Sequence, residues 1–583
     1  MTPIGPALFA LAIHTAIQEA KAETERRFPG ELHLTVFYLD DGVVGGSSRA
    51  VRCFCELAEQ LLADIGLALN KPKCEIVPAA GAAHTVPPSL FGGFAFNTSG
   101  NFKLLGAPFG ASDFCVAHTR KRARKAEHLL REITSLSDAQ SALHLLRQCA
   151  SYSKLVYSMR VVPPGMHLMA LREFGRAQRA ALGELVDSDV SDRDWAQAKL
   201  GIKRGGLGLR GADDHAAAAF LASLQDAASL CAAIDAAFDP NDTAGFLQRR
   251  SAWDVFTSGV LPDAAVDLVK GQKAMSGMID AKLEHDLRAS NRGDTSYLAH
   301  FALQSLCGAG AWLTAPPADT DRRIDPSLFR VALKRRLRIR VQEADTFCPM
   351  CGGTMDSFGD HALTCPCSGD RTVRHNRLRD CVFEDAARGH MGPEREKAGL
   401  LPGRPQEDGA PCCGEATQAA AGVRSRRRPA DLYLPRGVGG GPSALDFACT
   451  SGMRSDLLRE AAANPEGVLI AYEDFKRAYK APGEADSTAA LCSQAGFAFI
   501  PMVVEAHGGG WSKAARGILD KISKQIGEAG NGDKEVESLR IAQRMSCSLH
   551  RENARAVLRR LHEPVLPTAG SGWSPGDVAP AWQ

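Results

Sequence analysis

The chain carries almost no net charge: 69 Lys and Arg stand against 67 Asp and Glu in 583 residues, a formal +2. That excludes a whole-molecule field drawing it to nucleic acid, so any such attraction has to be local. It has no run of about 18 consecutive apolar residues, the length a bilayer span requires, and no membrane partner is expected. The apolar N-terminal stretch lacks a basic flank and a convincing cleavage site, which argues against a secretory signal. The 17 cysteines are odd in number and scattered, a pattern of reduced intracellular thiols rather than of a disulfide scaffold. No internal repeat is visible, and the glycines at 205–208 fit neither GxGxxG nor the P-loop, which sets a phosphate-cradling loop aside.

What is present points to a globular chain of several domains, with 45% hydrophobic and 23% charged residues. The basic residues are clustered in Arg120-Lys121-Arg122-Ala123-Arg124-Lys125, Lys334-Arg335-Arg336-Leu337-Arg338-Ile339-Arg340 and Arg424-Ser425-Arg426-Arg427-Arg428. Each run reads either as a solvated helix face or loop, or as a set of phosphate contacts. One acidic pair stands out, in Phe37-Tyr38-Leu39-Asp40-Asp41-Gly42-Val43-Val44. Leu32 to Tyr38 is rich in β-formers and Asp41-Gly42 is a strong turn signal, which predicts a β-hairpin with both carboxylates at its tip. Neighbouring like charges are costly without a cation. Asp40 and Asp41 are therefore candidate Mg²⁺ ligands for phosphoryl transfer, with a solvated Asp-Gly turn as the plain alternative.

Cysteine spacing marks another site. Cys348, Cys351, His361 and Cys365 give C-x₂-C-x₉-H-x₃-C, with Gly352-Gly353 turning the chain after the first pair. Such a set completes a tetrahedral Zn²⁺ site, and four protein ligands make the site structural; Cys367 is an alternative fourth ligand. Farther on, Arg428-Pro429-Ala430-Asp431-Leu432-Tyr433-Leu434 and Ala444-Leu445-Asp446-Phe447-Ala448-Cys449 read as strands around a glycine-rich turn at 436–443. With fourteen residues between them, Asp431 and Asp446 suit two strands of one hairpin that bring carboxylates to a common Mg²⁺. Aspartates that merely end strands are the alternative.

The order of these motifs resembles a known family. Ile4-Gly5-Pro6-Ala7-Leu8-Phe9 feeds an apolar helix, the Asp40-Asp41 hairpin follows, then Gly66-Leu67-Ala68-Leu69-Asn70-Lys71 and Leu104-Leu105-Gly106-Ala107-Pro108. In that order they are similar to the later palm motifs of reverse transcriptases of non-LTR (LINE-type) retrotransposons. The resemblance implies that Asp40 and Asp41 are polymerase carboxylates. It also implies that Arg120, Lys121, Arg122, Arg124 and Lys125 sit at a thumb entrance near a duplex backbone. The family has fingers and a further catalytic aspartate ahead of this helix. This chain starts at Met1 inside that motif, so the polymerase step is expected to be inactive.

The C-terminal half resembles the zinc knuckle and restriction-like PD-(D/E)xK endonuclease of site-specific members of that family. This implies a glutamate on a preceding helix, for which Glu396 is the candidate, and a lysine. Position 448 is alanine where the usual lysine would stand, so a later helix would provide it, at Lys476 with Tyr479 nearby. Glu505 is a further acidic candidate, and Arg426, Arg427 and Arg428 would approach DNA just ahead of the first strand. The implied function is target-primed reverse transcription on DNA and RNA by an intracellular, nuclear protein using Mg²⁺ and structural Zn²⁺. A catalytically silent nucleic-acid-binding remnant is the alternative.

The expected fold class is multidomain α+β. Residues 1–110 form a partial palm and 111–215 a helical thumb, opened by a capping box at Ser137-Asp138-Ala139-Gln140 and stopped by Pro163-Pro164. A helical linker (216–345), the zinc-binding segment (346–368), a small α/β endonuclease domain (369–515) and a helical region with a disordered tail (516–583) follow. Oligomeric state is not legible. Incubated with primed RNA template, deoxynucleotides and Mg²⁺, the purified chain is expected to extend no primer; a processive product on a sequencing gel would overturn that.

Overall fold

The structure, a computed structural model, describes residues 4–79, 86–235, 238–239, 243–262, 264, 269–401, 429–437, 441–481, 484–530 and 532–561. The basic run at 424–428, with Arg426, Arg427 and Arg428, and the expected tail from 562 lie outside the described residues. The protein is multidomain and mixed α/β, with helices predominating over small sheets. It divides into two units: Met1–Lys125 with Lys154–Phe174 and Ala212–Ile279, and Ala126–Ser153 with Gly175–Gly211 and Asp280–Gln583.

In the first unit, α1 (Gly5–Arg27) opens with Pro6, at a place where an amide N–H would have no intrahelical partner. It buries Ile13, Ala16, Ile17, Ala20 and Thr24 along one face. The same small core includes Phe54 and Ala58 of α2 (Ser48–Asp64). Between the helices, β1 (Leu32–Tyr38) and β2 (Asp41–Gly46) pair antiparallel, with Tyr38 opposite Asp41. The turn is therefore Leu39-Asp40, with Leu39 at φ +56°, and not the expected Asp41-Gly42. Packing explains the difference: Gly42 lies opposite Phe37, and a Cβ there would come within 2.3 Å of the Phe37 ring. The glycine clears an aromatic ring instead of making the bend.

A second hairpin joins β3 (Phe102–Leu104) and β4 (Ala107–Phe109) through Leu105 and Gly106, both at positive φ as a type I′ turn demands. The first half of α3 (Ser112–Thr134) buries Cys115, Thr119 and Ala123. Thr119 hydrogen-bonds His167, and Arg120 pairs with Glu173, both on the helix Pro164–Val186. Pro164 thus begins a helix; the short helix Val156–Val161 stops just ahead of Pro163, and Ala139–Gln148 has ended farther upstream, where the Ser153 hydroxyl reaches the Gln148 carbonyl. The helix is capped by Asp138, whose side chain accepts from the Gln140 amide, one residue beyond the capping-box serine read from sequence. The helix Ala212–Ile234 is long and apolar enough to cross a membrane by length and composition, counter to the run-length expectation. Alanines raise its mean hydropathy without an unbroken apolar run. Its first half, Ala212 and residues 216–222, is buried, whereas Leu230 and Ile234 in the second half are exposed.

The second unit shows where the basic run at 334–340 goes. Neither a solvated face nor a phosphate contact describes its middle, because α4 (Pro326–Arg336) carries Arg335 and Arg336 into the interior. Arg336, 1% exposed, donates to the carbonyls of Ile202, Gly206, Gln304 and Ala309 and to the Gln304 side chain. Those carbonyls belong to turns and helix ends that leave acceptors without backbone donors, and a guanidinium with five N–H groups satisfies several at once. Gly206 must be glycine there, since a Cβ would lie 2.1 Å from the Leu200 carbonyl oxygen. Arg335 and Arg338 both pair with Asp360.

After α5 (Asp370–Arg388) comes a four-stranded sheet of β5 (Glu394–Arg395), β6 (Leu432–Leu434), β7 (Ser443–Thr450) and β8 (Ala498–Glu505), in spatial order β8-β7-β6-β5. β5, β6 and β7 pair antiparallel. β8 joins β7 in parallel, and the crossover between them includes α6 (Pro465–Ala478). Both faces of this parallel pair are covered, as such strands require. Leu445, Phe447, Met502 and Val504 pack on α5, α7 (Lys513–Glu528) and α8 (Lys534–Leu558), through residues such as Val382, Ile522 and Met545. Ala448 and Val503 face Val468 and Leu469 of α6.

On α8, His550 lies against Trp312 with ring centroids 4.8 Å apart. Burial, with Arg336 and Arg335 close by, pushes its pKa down from 6.5 to about 3. The folded protein therefore keeps it neutral where the unfolded chain would protonate it. Its stabilising share is full above pH 6.5 and is lost as pH falls from there toward 3. Urea midpoints read from tryptophan fluorescence are expected to drop across that window, and less steeply for His550→Gln; equal slopes would count against it.

Candidate functional site

The zinc-type motif folds as a ribbon of Thr346–Phe347 against Thr354–Met355, followed by the short helix Asp360–Thr364. Within the ribbon loop the Cys348 amide donates to Gly353 and the Gly352 amide to Cys348, and Gly352 takes φ +71°. The side chain of Asp356 accepts from the amides of Phe358, Asp360 and His361, which fixes where His361 starts its helix. The donor atoms of Cys348, Cys351, His361 and Cys365 consequently all lie within 4.8 Å of one another. Cys351 Sγ is 3.2 Å from His361 Nε2. Burial raises the Cys348 thiol, but hydrogen bonds from the amides of Met350 and Cys351 and from His361 outweigh it and hold the pKa at about 6. The thiolate is the metal-binding form, so this Cys₃His cluster can hold a metal ion such as zinc. Cys367 stands outside the cluster, and its carbonyl accepts from Arg560.

The carboxylates of the sheet form a separate constellation. Asp431 precedes β6; its amide donates to Leu445 and its carbonyl accepts from Glu396, so backbone pairing on both sides fixes it between β5 and β7. One carboxylate oxygen accepts from the Phe447 amide at 2.7 Å and faces His375 Nε2 of α5 at 3.1 Å. Asp446, one residue beyond the Leu432–Leu445 pair, shares its face with Ala444 and Ala448 by the period of the strand. Its carboxylate meets Lys476 Nζ, in the last turn of α6, at 2.8 Å. Burial raises the Asp446 carboxyl more than Lys476 lowers it. Burial acts on Asp431 too, but the His375 hydrogen bond and charge and the Phe447 amide hold it below the usual range. His375 is raised in turn by Asp431, and Lys476 stays raised because Asp446 outweighs its burial. Two carboxylates on neighbouring strands thus have opposite proton affinities, an arrangement that suits acid–base or metal-assisted chemistry.

Glu396 does not join them in the expected way. It follows the short strand β5, not a helix, at φ +43°, and its carboxylate is engaged by Arg379 at 2.8 Å. Burying Arg379 needs an acid beside it, and Glu396 is one. α5 instead offers His375, which the sequence reading missed. The signal was present: Leu378, Val382 and Ala386 define the buried stripe of a helix placed between the cysteine motif and the first aspartate, and His375 lies on its edge. Tyr479 is exposed at the end of α6 against Phe475, and it is Tyr472, one turn before Lys476, that has its electrostatic influence on the lysine. Glu505 ends β8, where its buried carboxylate accepts from the amides of Gly452, His507 and Gly508.

Asp40 and Asp41 are exposed, and among the described residues neither side chain has a hydrogen bond or ion pair. Lys121, Arg124 and Lys125 are exposed on α3, Arg122 lies over the Tyr157 ring at 5.3 Å, and Arg120 is tied to Glu173. Among the described residues, the Cys₃His set is the one group of three or more such ligands with mutually close donor atoms. No family model matches the chain, and no curated protein sequence matches it.

Elemental analysis of the purified protein is expected to find one bound metal per cysteine cluster. Cys365→Ser should lose it while Cys367→Ser keeps it; retention by Cys365→Ser would remove Cys365 from the ligand set.

Proposed function

We propose that the chain is a retroelement-derived protein whose 369–515 segment is a Mg²⁺-dependent DNA endonuclease, serving target-primed reverse transcription. It is joined to a palm-like segment at 1–110 that carries Asp40 and Asp41. The observation that carries this reading is the Lys476–Asp446 pair at 2.8 Å, beside Asp431 of the same hairpin, which His375 of α5 contacts. A lysine arriving from a later helix is what the resemblance to restriction-like endonucleases asks for when position 448 is alanine. The Cys₃His cluster supports a structural Zn²⁺ that keeps a short, core-poor segment folded. DNA and RNA are the partners in this reading, and the nucleus is the compartment.

Mg²⁺ binds through one or two carboxylates together with phosphate oxygens and water, which fits two hard oxygen donors without a third carboxylate. Asp431 and Asp446 would hold it, and when bound it supplies charge at the scissile phosphate and a more acidic water. The remaining work falls to the chain itself. The Phe447 amide and His375 fix the orientation of Asp431. Lys476, already held at Asp446, donates to the phosphate oxygen that gains charge as water adds to phosphorus and the P–O bond to the departing sugar opens. The cut leaves a hydroxyl end of the kind a primer needs.

The second reading, a silent nucleic-acid-binding remnant, is favoured by the fact that Lys476 and His375 already neutralise both carboxylates. A supercoiled-plasmid nicking assay with Mg²⁺ separates the two. The wild type should nick, Asp431→Ala/Asp446→Ala should not, and Lys476→Ala should be slower by about 10²–10³-fold. Equal inertness of all three leaves the remnant.

A further inference from the structure

A cleft of about 440 Å³ opens beside the carboxylates. It lies at the C-terminal ends of the parallel strands β7 and β8, where Thr450, Ser451 and His507 line it, the position at which α/β sheets take ligands. α5 contributes Arg371 and Arg374, the former one turn before His375; α6 contributes Tyr472, one turn before Lys476. The two helices that bring His375 and Lys476 to the carboxylates therefore also wall the cleft, about 6 Å farther along each axis.

The lining has the chemistry of an anion site. Arg374 is 6% exposed; it donates to Asn553 and to the Leu363 carbonyl, and its Nε is buried with no partner. Arg371 is exposed and has neither hydrogen bond nor ion pair among the described residues. Among the described residues, the Arg454 side chain pairs with solvent-facing Asp456 alone. The carboxylates in the lining are already engaged: Asp356 by three amides, and Asp360 by Arg335, Arg338 and His507. Ser451 Oγ, 2.8 Å from His507 Nε2, adds a hydroxyl at the floor. The floor itself is held rigid by the amides of Gly452, His507 and Gly508 on Glu505.

We propose that this cleft grips a backbone phosphate of the DNA strand a few nucleotides from the one held at Asp431 and Asp446, through Arg371, Arg374 and Arg454. From Asp446 to the cleft the strand runs about 10–17 Å, roughly three to five nucleotides of duplex axis. The assignment rests on the endonuclease reading, and its role is to fix register so that the scissile phosphate arrives at Lys476.

The test is fluorescence-anisotropy binding of a duplex oligonucleotide in Mg²⁺-free buffer over a salt series, run beside plasmid nicking in Mg²⁺. Arg371→Ala/Arg454→Ala changes exposed side chains only, and circular dichroism and retained metal at the cysteine cluster report that the fold is kept. The double variant is expected to bind about tenfold more weakly, with a log K against log salt slope shallower by about 1. Unchanged affinity and slope overturn the cleft even if the wild type nicks. A loss of affinity in a protein that never nicks keeps the cleft and removes the endonuclease reading. Loss of affinity for RNA duplex but not for DNA overturns the DNA assignment.

Discussion

A strand covered on both faces cannot leave a charged or polar group alone, and that constraint organises the second unit. β7 and β8 lie side by side under α5, α7 and α8 on one side and α6 on the other. Every acid on them has a designated partner: Asp446 has Lys476, and Glu505 has three backbone amides. An uncompensated carboxylate at such a depth costs several kcal/mol, far more than a surface ion pair returns. Reactive groups and structural groups are consequently built from the same residue types, distinguished by what else can reach them. Asp446 and Asp431 keep about a fifth to a quarter of their side chains accessible, whereas Glu505 is fully enclosed.

The same constraint accounts for the arginines. A basic run in a sequence is ordinarily a matter of solvent or phosphate, yet Arg335, Arg336 and Arg338 act as internal fasteners for carbonyls and for Asp360. Arg544 of α8 does likewise with Asp321, Glu384 and Asp385. Charge clusters of this kind hold helices whose apolar stripes alone would leave rotation undetermined. They also explain how a chain of nearly balanced charge can concentrate positive groups in one cleft, since the acids nearby are already neutralised from below.

Much of the local structure was legible. Strand alternation around Asp431 and Asp446 follows from Leu432, Leu434, Leu445 and Phe447, and the hairpin register puts Leu432 opposite Leu445. The cysteine spacing alone nominates the four side chains that converge. Lys476 could be sought on a later helix because position 448 was already alanine. What was not legible depended on contacts distant in sequence. Glu396 is drawn to Arg379 rather than to the carboxylates, His375 reaches Asp431 across 56 residues, and Phe37 decides why position 42 is glycine. Spacing encodes local geometry well, but it carries no information on which buried arginine will claim a nearby acid.

Arg336 and Asp360 together set where the second unit can be cut. A fragment begun after 210 keeps the Arg336 guanidinium but removes the Ile202 and Gly206 carbonyls that it binds. One begun at the cysteine motif removes Arg335 and Arg338 and leaves Asp360 enclosed with His507 as its remaining partner. Either truncation leaves a buried charge short of partners. The shortest electrostatically closed piece that contains the carboxylate hairpin therefore begins ahead of Ile202, some two hundred residues before the chemistry it supports.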